Sequence, residues 1–161
     1  MQTKDLTRAA AAAALYVVLT WAVPAFSYGP VQFRISELLT LLCYLNPIYI
    51  AGVTLGTVIA NLTSPLGVID IVFGAGSSFL AFLLMQKMPN VWTASLMPVL
   101  CSIFIGVELY IIAQEPISFW LVSGQIMLSQ LIICTIIGVP LIKSLLKNES
   151  FVKWVRPMRL K

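Results

Sequence analysis

Long apolar stretches interrupted by single charges run the length of the chain. Uncharged segments separate Arg8 from Arg34, Glu37 from Asp70, Asp70 from Lys87, Lys87 from Glu108 and Glu115 from Lys143. A helix that crosses a bilayer needs about 20 mostly apolar residues at about 1.5 Å rise each. The pattern predicts spans at roughly 9–27, 67–86, 91–113 and 118–144. The segment from Glu37 to Asp70 is long for one span and short for two. Asn46-Pro47 divides it, because proline cannot continue a helix and disfavours helical backbone at the residue before it. Two short helices are expected there, at roughly 33–46 and 48–62. The first of them also reads as one arm of a re-entrant hairpin.

Six helices return both termini to one side. Every lysine and arginine except Arg34 then falls on that side, in the segment before the first span, the loop at Lys87 or the tail after Lys143. The positive-inside rule makes it the cytoplasmic one. The expectation is therefore an all-α, six-transmembrane-helix protein with both termini cytoplasmic, a single integral membrane domain over 1–161. The first apolar run is too long for the core of a signal peptide and is expected to be retained. The tail 158–161 is expected to fray.

Composition sharpens this reading. Of 161 residues, 60% are hydrophobic and 10% charged, against about 25% charged in a soluble domain. Mean hydropathy is +0.97. The net charge of +4 collects at one face, which does not point to nucleic acid. There is no histidine, so the commonest general base and metal ligand is missing. Cys43, Cys101 and Cys134 stand far apart in apolar runs and read as small hydrophobes. No G-x-x-x-x-G-K-[ST], G-x-S-x-G or H-E-x-x-H motif occurs, so neither ATP binding nor hydrolytic chemistry is expected of this chain. No catalytic residue, metal or cofactor is assigned.

The chemistry lies in charges on the wrong side. Arg34, Glu37, Asp70, Glu108 and Glu115 map to the outer half of the membrane. A charge at the centre of a spanning helix costs about 2.5–3.5 kcal/mol on insertion scales, which makes function the default reading. The plainer alternatives are a local i,i+3 pair between Arg34 and Glu37, a helix cap at Asp70 and simple solvation of Glu115. One arginine, however, cannot neutralise several carboxylates. Gln32, Ser36, Asn61 and Gln125 fall at the same level, with Trp21, Tyr28, Phe33, Tyr110 and Trp120 nearby. Together they suit a flat, hydrogen-bonding, cationic small molecule approached from outside, although each ring alone fits an interfacial belt. The Pro- and Gly-rich segment 24–33 is either a lid over that pocket or a plain connector.

Small residues mark close helix contacts. The alanine run Ala9–Ala14 contains two four-residue pairs, Ala9/Ala13 and Ala10/Ala14. Gly52/Gly56 and Gly74/Ser78 repeat the spacing. Such strips let helix backbones approach in a membrane. The alanine strip serves either internal packing or an external docking face.

The segments ALYVVLT (14–20), YGPVQFRISELLT (28–40) and NLTSPLGVID (61–70) resemble the queuosine-precursor transporter family, substrate-binding S components of energy-coupling factor transporters. The resemblance implies a six-helix fold with an outward pocket for 7-deazaguanine bases. It also implies docking, through alanines of the first helix, onto a transmembrane coupling subunit driven by two cytoplasmic ATPases, in a bacterial plasma membrane. On that basis Glu37 and Glu108 are expected to bind the guanine-like edge and an aminomethyl cation, with Arg34 positioning Glu37. Asn61 and Gln125 address the remaining edge, and Asp70 completes the site. Ala9, Ala10, Ala13 and Ala14 are the docking candidates. The contrasting reading is a membrane-embedded enzyme or assembly factor acting on lipid, which would place paired catalytic groups near the cytoplasmic face. A standalone ion-coupled carrier would favour internal repeats, and none stands out.

Overall fold

The computed structural model describes residues 3–29, 32–113 and 118–158. Glu115 and the end of the tail, 159–161, lie outside the described residues. Among those described, every regular element is helical. Helix α1 is Thr3–Ala22. A single helical turn, Pro24–Ser27, follows it. Ile35–Leu45 forms α2, Ile48–Asn61 α3, Val68–Met85 α4, Val91–Ile112 α5 and Phe119–Leu145 α6. A short α7, Glu149–Val155, closes the chain. Helices α4, α5 and α6, of 18, 22 and 27 residues, are long and apolar enough to cross a membrane. Helix α1 carries Lys4, Asp5 and Arg8 in its first turns, and α2 and α3 are shorter.

The break at Asn46-Pro47 is built as expected. Asn46 is extended. Its side chain accepts from the Ile48 amide at 3.1 Å and donates to the Arg156 carbonyl at 2.9 Å. The same asparagine thus starts α3 and ties down the end of α7. The Met158 amide adds a bond of 2.8 Å to the Leu45 carbonyl, and Trp154 stacks on Tyr49 at 5.7 Å between ring centroids. Because the start of α1 packs on the start of α3, both ends of the described chain meet at one end of the bundle, hereafter the near end. Helix α7 was not foreseen. Asn148 caps it by accepting from the Ser150 and Phe151 amides, and Val155 is fully buried.

Helices α1 and α3 form the tightest pair. Gly52 and Gly56 permit it: a Cβ on Gly52 would stand 2.2 Å from the Ala9 carbonyl oxygen, and one on Gly56 2.9 Å from that of Ala13. Lipid supplies no hydrophobic drive between helices, so close backbone packing carries the association. Ala9, Ala12 and Ala13 are buried, whereas Ala10 and Ala14 are exposed. One register of the alanine run is therefore used inside the bundle.

Burial is inverted relative to a water-soluble protein. Large apolar side chains cover the outside, including Trp120 at 76%, Val68 at 74% and Ile111 at 65% exposure. The near half encloses an apolar core around Tyr49, Val53, Phe82, Met85 and Val139. The far half buries polar groups instead: Arg34, Glu37, Asn61, Asp70, Glu108 and Gln130 all have 6% exposure or less. This arrangement fits a lipid surround.

Gly52→Ala should push α1 off α3, because the obstruction is backbone and cannot rotate away. Overpacking of this kind costs about 1–3 kcal/mol. Gly124, whose Cβ would meet nothing within 4 Å, should tolerate alanine or gain up to about 1 kcal/mol from helix propensity. Thermal unfolding of both variants in detergent micelles checks the contrast.

Candidate functional site

Arg34 stands where an extended segment enters α2. Its side chain gathers three parts of the chain. Nε donates to the Ser27 carbonyl at 3.0 Å, one terminal nitrogen to Asn61 Oδ1 at 2.9 Å and the other to Asp70 Oδ2 at 3.4 Å. The Tyr28 ring covers the guanidinium at 5.4 Å from its centroid. Asn61 closes the triangle: its amide nitrogen donates to the Asp70 backbone carbonyl at 2.8 Å and to Oδ1 at 3.3 Å. The local backbone makes this possible. Ser64-Pro65-Leu66-Gly67 forms a turn closed by the Gly67 amide on the Ser64 carbonyl at 3.1 Å. Gly67 has φ +68°, which disfavours any side chain there. The turn delivers Asp70 back to the end of α3. Gly74 lies beneath, and its Cβ would fall 2.6 Å from both the Asn61 amide nitrogen and Asp70 Oδ1.

No hydrogen bond or close ion pair joins Arg34 to Glu37. Arg34 is extended and Glu37 sits in a 3₁₀ turn, so the side chains are not on one helical face. Glu37 turns instead to α1, where the Tyr16 hydroxyl donates to Oε1 at 2.5 Å. Thr20, one turn further along α1, donates to Ser36 at 2.7 Å. Nor does Asp70 cap a helix with its side chain; it is the counter-ion of Arg34.

Glu37 also lines a small hollow with Ser77, Ser102, Ile105 and Gln130. The hollow offers about 10 Å³ to the centre of a water molecule, room for about one water. A second, open cavity of about 410 Å³ lies at the far end between Tyr28, Gln32, Leu66, Leu109, Ile112 and Val122. Its volume is in the range of small-molecule sites. Tyr28, whose ring covers Arg34, connects this vestibule to the Arg34 cluster. A larger groove of about 550 Å³ beside Trp21 and Pro65 has fewer free polar groups, since the Thr63 hydroxyl there already bonds Trp21 at 2.8 Å and the Ala60 carbonyl at 2.9 Å.

Glu108 is fully buried on α5, and neither of its oxygens has a hydrogen-bond partner. Gln125 is exposed and does not join the cluster. The inward stripe of α6 runs through Ser123, Ile126, Ser129, Gln130 and Cys134, and Gln125 is turned about 100° from Ile126. Gln130 fills the inward position and accepts from Cys134 at 3.2 Å. Tyr16 and Gln130 are the residues that the sequence reading missed. Their signal was polarity inside an apolar run, which a tyrosine or glutamine shows weakly. Asn61 is reached, but both ends of its amide are engaged within the protein, so it positions neighbours rather than offering a free edge. Two π-helical segments flank the cluster, Ile71–Ala75 directly after Asp70 and Leu131–Ile137 directly after Gln130. Such bulges recur at functional sites.

The segment 24–33 is held down where it is described. Ser27 donates to the Thr20 carbonyl at 2.9 Å and Tyr28 to that of Ala60 at 2.6 Å. Pro30 and Val31 lie outside the described residues.

An apolar-surfaced helical bundle with ion-paired and unpaired acids enclosed at one end defines a membrane protein with a polar site. The QueT transporter family model matches residues 6–147, and the chain belongs to that family. Over 84 residues it is 45% identical to the queuosine precursor transporter QueT of Lactococcus lactis subsp. cremoris (strain MG1363). The match covers 51% of this chain and 48% of that protein, so the chain spans about half the length of the curated relative it matches. No solved structure matches the chain. Membership of a transporter family sets aside the enzymatic reading.

Breaking the buried pair from either side should be costly. Asp70→Asn leaves Arg34 uncompensated, Arg34→Met leaves Asp70 so, and each should destabilise by roughly 3–5 kcal/mol. The double variant should lose less than the sum of the two. A thermal-unfolding double-mutant cycle measures this; singles within about 0.5 kcal/mol of the parent would show that the pair does not hold the far half together.

Proposed function

We propose that this chain is the substrate-capturing subunit of an ATP-driven importer and that its substrate is a queuosine precursor, a 7-deazaguanine base. The carrying observation is the set of carboxylates enclosed at the far end of an otherwise apolar bundle, in a chain of the QueT transporter family. In this reading the bundle is one integral membrane domain of six crossings. Helices α2 and α3 make a short descending and ascending pair. The near end, with its lysines and arginines, faces the cytoplasm of a bacterial cell, and the vestibule faces outward.

The base enters the vestibule beside Tyr28 and Gln32. Glu37 accepts the paired N–H donors of its guanine-like edge, a geometry that makes carboxylates good readers of such an edge. Tyr16 holds Glu37 in place. Arg34, Asn61 and Asp70 brace the surrounding backbone rather than contact the base. The hollow beside Glu37 has the volume of a water, so α4 and α5 part as the base is seated. Energy comes from partners: a transmembrane coupling subunit and two cytoplasmic ATPases. The docking strip is Ala10 and Ala14, whose exposure supports that role. Ala9 and Ala13 are engaged by Gly52 and Gly56.

Calorimetric binding to the purified chain is the direct test. A 7-deazaguanine precursor should bind without any partner and guanine more weakly. Glu37→Gln should lose about tenfold or more in affinity, as expected for one charge-assisted contact. Ala10→Leu should abolish co-purification of the coupling subunit and ATPases while leaving affinity unchanged. Ala13→Leu should instead lower the thermal midpoint. Absence of binding to any 7-deazaguanine would overturn the proposal.

A further inference from the structure

The near end carries an apolar groove that substrate capture does not use. It has a volume of about 190 Å³ and runs between α1, α2 and α6 as far as α7. Ala12 and Leu15 line it from α1, Leu42 from α2, Leu141 and Leu145 from α6 and Trp154 from α7. Gly138 lets α6 lie close to α2 here, since a Cβ on it would stand 3.0 Å from the Leu41 side chain. Leu15, Leu141 and Leu145 are exposed although apolar. A recess of this kind is filled in a bilayer, because atoms that face a void forfeit their dispersion contacts. One turn of a helix with its side chains takes up about 400 Å³, so the recess is too small for a helix and has room for part of an acyl chain.

Cations stand around its near mouth. On α1, Arg8 and Lys4 lie one and two turns before Ala12, on the same helical face. Lys147 follows Leu145 by two residues. Arg156 ends α7 beside the end of α2, where its carbonyl accepts from Asn46 at 2.9 Å, one turn beyond Leu42. Trp154 sits at the same level, as tryptophan does at a membrane interface. Acids are few: Asp5 pairs with Arg8 at 3.1 Å and Glu149 with Lys153 at 3.4 Å. Lys4, Lys147 and Arg156 are exposed and form no ion pair among the described residues. A second copy of the chain would bring the same cations to the same place and be repelled. A negatively charged headgroup would be attracted, and basic recesses between membrane helices are where such headgroups bind.

We propose that this groove is a site for one anionic phospholipid, with an acyl chain between α1, α2 and α6 and the phosphate among Lys4, Lys147 and Arg156. The lipid fastens α7 to the bundle from the side opposite its contacts with Asn46 and Tyr49. The site rests on the bundle's place in a membrane and is independent of what the far end binds.

Native mass spectrometry and thermal unfolding of the full chain in detergent test it, with dioleoylphosphatidylglycerol or dioleoylphosphatidylcholine added. The two lipids share their chains and differ in headgroup charge. One phosphatidylglycerol should be retained about tenfold or more tightly than phosphatidylcholine and should raise the thermal midpoint further. Lys147→Gln combined with Arg156→Gln should cut that preference about tenfold, since each basic residue near an anionic surface contributes about fivefold. Lys87→Gln combined with Lys143→Gln makes the same change of charge at the same end but away from the groove, Lys87 in the loop after α4 and Lys143 against the Trp92 ring. That pair should keep the preference. Leu141→Trp should fill the groove and weaken retention of both lipids. Equal retention of the two lipids by the parent would overturn the site, whether or not any variant folds. So would a preference that survives Lys147→Gln with Arg156→Gln, or one that falls equally in the control pair. A dimer that excludes phosphatidylglycerol would overturn it in favour of a second copy. Each of these outcomes leaves the importer reading intact.

Discussion

A guanidinium withdrawn from water has to be met by acceptors on every side, and Arg34 organises the far half of the bundle for that reason. Its contacts reach the turn after α1, the end of α3 and the start of α4. Asn61 and Asp70 stand 27 and 36 residues from Arg34 in sequence. Replacing a buried ion pair with well-packed apolar side chains is often neutral or stabilising. The value of Arg34–Asp70 therefore lies in position: it fixes where the Ser64–Gly67 turn returns and where Tyr28 lies. A leucine pair would fill the space without fixing any of those distances.

The two halves of the bundle are stabilised differently. The near half relies on contact between backbones, with Gly52 and Gly56 against α1 and an apolar core beneath. The far half relies on directed hydrogen bonds and tolerates irregular helix. Helix α5 carries Pro98 and breaks at Ser102, whose amide still bonds the Pro98 carbonyl at 3.0 Å, before resuming at Ile103. The π segments of α4 and α6 begin at the residues that follow Asp70 and Gln130. Regular helices would hold these side chains on a strict 3.6-residue repeat. The bulges shift that repeat where a polar residue has to face inward and its apolar neighbours have to face lipid.

Helix boundaries were legible in the sequence to within a few residues, except at the first helix, because charges and the Asn46-Pro47 break mark them directly. The first helix starts earlier and ends earlier than its apolar run, since Thr3–Arg8 is helical though polar. Helix α7 was hidden in a tail that reads as a string of cations, yet Val155 and Trp154 supply the apolar contacts that hold it. Facing was harder than existence. A run of identical alanines has no periodicity, so only the structure separates Ala9 and Ala13 from Ala10 and Ala14. Gln125 has the right depth and the wrong azimuth. The partner of Arg34 was missed for a related reason. Glu37 is three residues away and Asp70 thirty-six, and nothing local in the sequence says that the turn at Gly67 brings the distant one nearer.

The described fold leaves several buried polar groups unsatisfied. Glu108 and Ser123, like Thr54 on α3, lack partners, and the hollow beside Glu37 has room for about one water. A bundle optimised for its own stability would have filled that space with apolar side chains, as its near half does. Binding to the folded state alone stabilises it by an amount that grows with ligand concentration, so a ligand that satisfies these groups also tightens the far half. Capture and consolidation then become one event. In the proposed capture, a ligand entering by the vestibule would give the acids their donors and draw α4, α5 and α6 around it, with the α1–α3 contact at the near end unchanged. The proposed function asks for the same separation, a far half that responds to a ligand and a near half that keeps its shape.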